Sequence, residues 1–298
     1  MENIWLLFVC LLAGSVLRKI PQMPPQSYLP INVFIIYISL PAVALLYIPH
    51  IIFTTQVLIP LSVGGLVFLG AAVLFGVLWK MQYIDRSTFV CLLLTCGLGN
   101  TSFLGFPLTL SYYGEAGLSI AIIADQGTFL VLATFGVAIA IFFAEGQWQF
   151  QKLSKRILTF PPFIAFILAL ILPKNFFTIS VTKVLEGLSA PLIPLALFSV
   201  GLQLQIRLEK TQLKVLSLGL LYKLLLAPLF IWFLWFYLLG DRSLYTQVTI
   251  FEAAMPPMIT AAILASQYNH RPKLAQLLVS VGLLFSFLTA WFWWWLTQ

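Results

Sequence analysis

From Ile20 to Trp79 the chain contains no Asp, Glu, Lys or Arg. No water-facing surface can be built from such a run. At ~1.5 Å per residue it is long enough to cross a ~30 Å hydrocarbon layer twice. Polar Thr54, Thr55 and Gln56, with the helix breaker Pro49 just ahead, supply the turn between the two crossings. The rest of the chain has the same character: 61% of its 298 residues are apolar and only 8% are charged, against about 25% charged in a soluble domain. An ordinary soluble enzyme and a disordered chain are both excluded. The fold class expected is an all-α integral membrane protein.

The apolar runs place spans at about 4–20, 31–49, 57–79, 88–113, 117–144, 157–173, 184–205, 214–239, 244–268 and 273–296, ten in all. The first does not read as a signal peptide, because Arg18 and Lys19 follow the apolar run instead of preceding it. Alternate loops hold Arg18, Lys19, Lys80, Arg86, Lys152, Lys155, Arg156, Arg207, Lys210, Lys214, Arg271 and Lys273, twelve of the 16 basic residues. The opposite loops hold Lys174, Lys183 and Arg242. By the positive-inside rule, both termini face outward and the basic loops lie in the cytoplasm. The net charge of +7 is scattered between apolar runs and forms no stripe for nucleic acid.

The polar stretch Glu145–Arg156 divides the chain into a first five-helix repeat (1–144), a cytoplasmic linker (145–156) and a second five-helix repeat (157–298). An odd span count per half requires the halves to insert with opposite orientation, the inverted-repeat plan of many secondary transporters. Weak internal similarity supports this. Ser39-Leu40-Pro41 resembles Ser189-Ala190-Pro191, and Pro107 can be set against Pro256, which puts Asn100 opposite Thr249.

Residues 96–108, CGLGNTSFLGFPL, put three glycines, Asn100, Thr101, Ser102 and Pro107 inside one intended span. Gly and Pro disfavour helix there by about 1 and 3 kcal/mol relative to Ala. Broken backbone at membrane depth is tolerated only where it is buried or lines a cavity. A close-packed small-residue interface is the plainer alternative. A second interruption at Pro256 and Pro257, in the corresponding span of the other half, favours a break.

With Gly99-Asn100-Thr101, Phe103-Leu104-Gly105 and Pro107-Leu108, Ile38-Ser39-Leu40-Pro41, and Ala253-Ala254-Met255-Pro256, the sequence resembles the auxin efflux carrier family, in the short form of its bacterial members. The resemblance implies ten helices in two inverted repeats, with the fourth and ninth broken and crossing near the membrane centre. It implies transport of small organic anions, auxin in plant members and dicarboxylates such as malate or malonate in bacterial ones. It also implies homodimers and an elevator-like movement. The chain departs from the family pattern at Glu252 and at Pro257-Met258.

On this reading the substrate site lies at the crossing of the two broken spans, around Asn100, Thr101, Gly105, Pro107, Met255 and Pro256. Interrupted helices expose backbone N–H groups and the positive end of a dipole to an anion. Asn100 and Thr101 add side-chain donors. Three ionisable residues, Asp125, Lys223 and Glu252, fall deep within spans. Each costs roughly 2.5–3.5 kcal/mol at the helix centre, so Lys223 is expected to pair with Asp125 or Glu252 in at least one transport state, or the acids to handle substrate or protons. A sodium- or proton-coupled antiporter or symporter is the alternative reading. An intramembrane protease has no fitting residues here, and a plain assembly subunit gives no reason for broken helices. No enzyme, metal or cofactor motif is expected. The partners are an organic anion, lipid and a second copy. His50 and His270 fall in loops and are expected to be solvated, the C-terminal tryptophans suit an interfacial belt, and Cys10, Cys91 and Cys96 are expected to be packing residues.

Overall fold

A computed structural model describes residues 2–24, 26–50, 54–146, 159–204 and 212–298. Among them the architecture is all-helical, with no strand beyond one isolated bridge. The helices are α1 (Glu2–Leu17), α2 (Tyr28–His50), α3 (Thr55–Lys80), α4 (Arg86–Cys96), α5 (Thr101–Ala144), α6 (Pro161–Ile171), α7 (Ile179–Gln203), α8 (Leu213–Leu238), α9 (Leu244–Ala253), α10 (Ile259–Gln267) and α11 (Pro272–Thr297). Six of these, α2, α3, α5, α7, α8 and α11, are long and apolar enough to cross a membrane. The protein is therefore an integral membrane protein. The 145–156 linker, with Lys152, Lys155 and Arg156, lies almost wholly outside the described residues, as do Arg207 and Lys210.

Local chemistry sets the helix ends. Asp85 accepts the Thr88 N–H at 2.7 Å and caps α4. It also pairs with Arg271 at the head of α11. Both partners are about half exposed, so the pair ties two loops together with little gain in stability. Within α5, Gly114 has φ +68°, a left-handed value that interrupts the helix and that glycine tolerates best. It splits α5 into 101–113 and 115–144.

The helices pack in two groups. α1, α2, α6 and α7 touch chiefly one another, and α3, α4, α5, α8, α9, α10 and α11 form the second body. Glycine lets α1 and α7 approach closely: a Cβ on Gly14 would stand 2.2 Å from the Phe198 carbonyl, and one on Gly201 2.3 Å from the Leu11 carbonyl. Lipid is as apolar as leucine, so such small-residue seams supply the packing energy between helices. The exposed face of α3, with Leu69, Val73 and Val77 one turn apart, fits contact with lipid.

Two of the sequence expectations need correction. His270 is buried, and its ring nitrogen lies 3.2 Å from the Ala140 carbonyl; the loop that carries it folds against α5. Trp293 is also internal, donating its indole N–H to the Leu224 carbonyl at 2.9 Å, because α11 turns that face toward α8. His50 is exposed as expected. Cys91 and Cys96 are buried free thiols.

The burial of His270 has a pH consequence. Burial pushes its imidazole below the ordinary 6.5, and nearby Arg86 acts in the same direction against the Ala140 carbonyl. A base with a depressed folded-state pKa contributes stability that is present above pH ~6.5 and lost as pH falls through the folded value. Thermal unfolding midpoints measured from pH 7.5 to pH 5 are expected to fall less steeply in His270→Gln than in the parent. Parallel curves would show that the imidazole does not titrate on unfolding.

Candidate functional site

Two interruptions meet in the interior of the second body. α4 ends at Cys96, and residues 97–100 leave the helix before α5 begins at Thr101. α9 ends at Ala253, and residues 254–258 lead to α10 at Ile259. Pro256 and Pro257 have no N–H to continue α9, and the residue before a proline is pushed toward extended backbone. The two extended segments run antiparallel, with Gly99 opposite Pro257. Asn100 N–H donates to the Pro256 carbonyl at 2.8 Å, and Met258 N–H is 3.2 Å from the carbonyls of both Thr95 and Leu98. Each break thus supplies backbone partners that the other has lost, which allows irregular chain to be buried without water.

Pro107 and Pro256, set against each other in the sequence, do not stand alike about the two breaks: Pro256 lies inside the second. Pro107 lies past the first break, near the start of the α-helical part of α5 and just after a π-turn over Thr101–Gly105. Its missing N–H is tolerated there.

Five side chains converge on this crossing from three helices, α5, α8 and α9. Thr101 donates to Asp125 Oδ1 at 2.5 Å. Thr109 donates to Glu252 Oε1 at 2.7 Å. Lys223, from a π-turn of α8, donates to the Ala253 carbonyl at 2.6 Å. Gly105 faces Glu252 so closely that a Cβ would stand 2.3 Å from Oε2. All these groups are buried, as are Asn100, Pro107, Met255 and Pro256. Among the buried polar atoms that have no partner in the described residues are Asn100 Nδ2 and Glu252 Oε2, both at this crossing. A narrow cavity bordered by Gly64, Gly99, Thr101, Thr128, Lys223 and Glu252 has about 10 Å³ of room, enough for roughly one water.

Two larger clefts, about 590 Å³ each, lie between the helix groups. One is lined by Gln26, Gln203, Ile259, Ser266, Gln267 and Gln276. It reaches Ile259, the residue after the second break. The other is lined by Tyr47, His50, Glu115, Thr182, Glu186 and Ser189.

The sequence matches the membrane transport protein family over residues 1–294. The chain belongs to this family. It is the family of the auxin efflux carriers, as the motifs around Asn100 and Pro256 suggested. An uncharacterized transporter of Methanocaldococcus jannaschii is 26% identical over 305 aligned positions, covering 99% of this chain and 98% of that protein. An uncharacterized transporter of Methanothermobacter thermautotrophicus is 28% identical over 276 positions, covering 89% and 87%.

Of the residues singled out in this family member, Asn100, Thr101, Gly105 and Pro256 come together at the crossing. Met255 sits inside the second break, its N–H 3.2 Å from the Glu252 carbonyl. Pro107 is set back in α5. Asp125, Lys223 and Glu252 all reach the same region, but no direct ion pair joins Lys223 to either acid in this conformation; its ammonium is held by a carbonyl instead. Sequence reasoning missed Thr109, the partner of Glu252. A signal was present: Thr101, Gly105 and Thr109 are four apart and so form one helix stripe.

Proposed function

We propose that this protein is a secondary transporter that moves a small organic anion, of the auxin or malate and malonate kind, by alternating access, with substrate held where α4/α5 and α9/α10 cross. The observation that carries this reading is the pair of mutually closing helix breaks with an unpartnered Asn100 amide beside them. Such breaks serve no packing need that an unbroken helix would not meet better. On this reading the chain makes ten crossings, since α4 with the head of α5, and α9 with α10, each make up one span. Ser39 Oγ donates to the Leu188 carbonyl at 3.0 Å, bringing the two Ser-x-Pro segments of the halves together, which supports an inverted repeat.

The four-helix group of α1, α2, α6 and α7 is the static frame and dimer-forming part, and the second body slides against it as an elevator. The two clefts at the boundary are the vestibules, one for each side of the membrane. The glutamine-lined cleft is the more directly connected to the crossing, so this conformation offers the site to the cytoplasm. A monoanion leaving a cell that is negative inside gains ~2.3 kcal/mol per 100 mV, so export needs no coupled ion. Coupling to sodium or protons is the second reading, favoured by the bare Glu252 Oε2.

Uptake into proteoliposomes of malate, malonate, pyruvate and an aromatic acid, each with and without sodium and a proton gradient, tests both. Saturable movement of at least one acid is expected; none under any gradient would remove the transport reading. The cell membrane is the proposed location, with both termini outside. Single cysteines introduced at positions 150 and 298, in a background without Cys10, Cys91 and Cys96, should label from opposite sides. Labelling of both from one side contradicts the orientation.

A further inference from the structure

Lys223 belongs to neither broken helix, yet its ammonium sits at the crossing. It bonds the Ala253 carbonyl, at the last residue of α9. It also lies 3.2 Å from where a Cβ on Gly99 would stand, just past the end of α4. The C-terminal end of α9 therefore points a carbonyl and its negative dipole end at the ammonium, and the chain just past the end of α4 closes on the same place. Carriers with broken helices use such ends and unwound carbonyls as seats for coupled cations. The same cavity is bordered by Glu252, whose Oε2 is buried and has no partner among the described residues. Carbonyl and carboxylate oxygens around a buried point are the ligands a hard monovalent cation takes, and here a side-chain ammonium occupies that point.

We propose that Lys223 is a tethered cation seated at the crossing in place of a mobile sodium ion, so that the crossing closes without sodium. Removing the ammonium opens that seat to a free monovalent cation. The proposal rests on the crossing being the working site of a carrier, but the seat itself can be read without any substrate.

The test uses the purified full-length protein, with sodium chloride and choline chloride compared at equal ionic strength. The parent is expected to unfold at the same temperature in both salts. Lys223→Ala should unfold at a lower temperature than the parent in choline. Sodium should raise its midpoint saturably, by roughly 2–4 °C. Lys223→Met, which refills the space without charge, should be destabilised and insensitive to sodium. Sodium-specific stabilisation of the parent, or a Lys223→Ala variant that treats the two salts alike, overturns the proposal. If Lys223→Ala cannot be purified in choline, recovery of folded protein with sodium supports the seat, and recovery in neither salt overturns it. Loss of this seat would leave the substrate assignment standing, since that assignment is tested at Asn100.

Discussion

Gly105→Ala is expected to lose most transport activity and to unfold several degrees below the parent. Two effects of opposite sign compete. Alanine improves helix propensity by about 1 kcal/mol over glycine. Against this, the new methyl would lie 2.3 Å from Glu252 Oε2, 2.9 Å from Oε1 and 3.0 Å from Cδ. A free carboxylate could swing aside, but this one is held by Thr109 and buried, with room beside it for no more than about one water. Overpacking of a filled interior costs roughly 1–3 kcal/mol, so the steric term wins. Gly65→Ala on α3 is the control, because nothing lies within 4 Å of its added methyl; it should be neutral or slightly stabilising. Pairing Gly105→Ala with Glu252→Ala should recover part of the loss, since the clash and its partner disappear together. Strict additivity of the two, or a Gly105→Ala variant indistinguishable from Gly65→Ala, contradicts the account.

The membrane class was legible because it rests on the sparsity of charge, which no tertiary arrangement can conceal. Helix boundaries were nearly as open: the charge-free stretch after Ile20 resolves into α2 and α3 within a few residues of the expected limits. The first break was also legible, since three glycines and Pro107 crowd residues 97–107. Its position within that stretch was not. Pro107 looked like the interruption, but a proline near a helix start is tolerated, and the actual gap is at Gly97–Asn100, where backbone bonds come from the opposing segment.

Partnerships across the crossing were harder to read, because they depend on which helix faces which. Lys223 was expected to meet a carboxylate in at least one transport state, and in this conformation its ammonium is held by a carbonyl at the end of α9. Position alone could not reveal that choice. His270 looked like a loop residue, and only the packing of its loop against α5 makes it buried.

The central claim is that the anion binds at the crossing, and Asn100 tests it most directly. The Asn100 side chain lies beside the bond between its own N–H and Pro256, with Nδ2 buried and unpartnered. A buried amide donor left open in this way is costly unless something else fills it, and a substrate carboxylate oxygen is a suitable acceptor. The decisive measurement is the equilibrium affinity of purified Asn100→Ala and parent protein for the acid that the proteoliposome panel shows to be transported. Loss of one hydrogen bond to a charged group, roughly 1–3 kcal/mol, predicts about 5- to 150-fold weaker binding, with the unfolding temperature nearly unchanged. Affinity equal to the parent's in Asn100→Ala, together with loss of binding on widening the α1–α7 seam by Gly201→Leu, would place the site elsewhere.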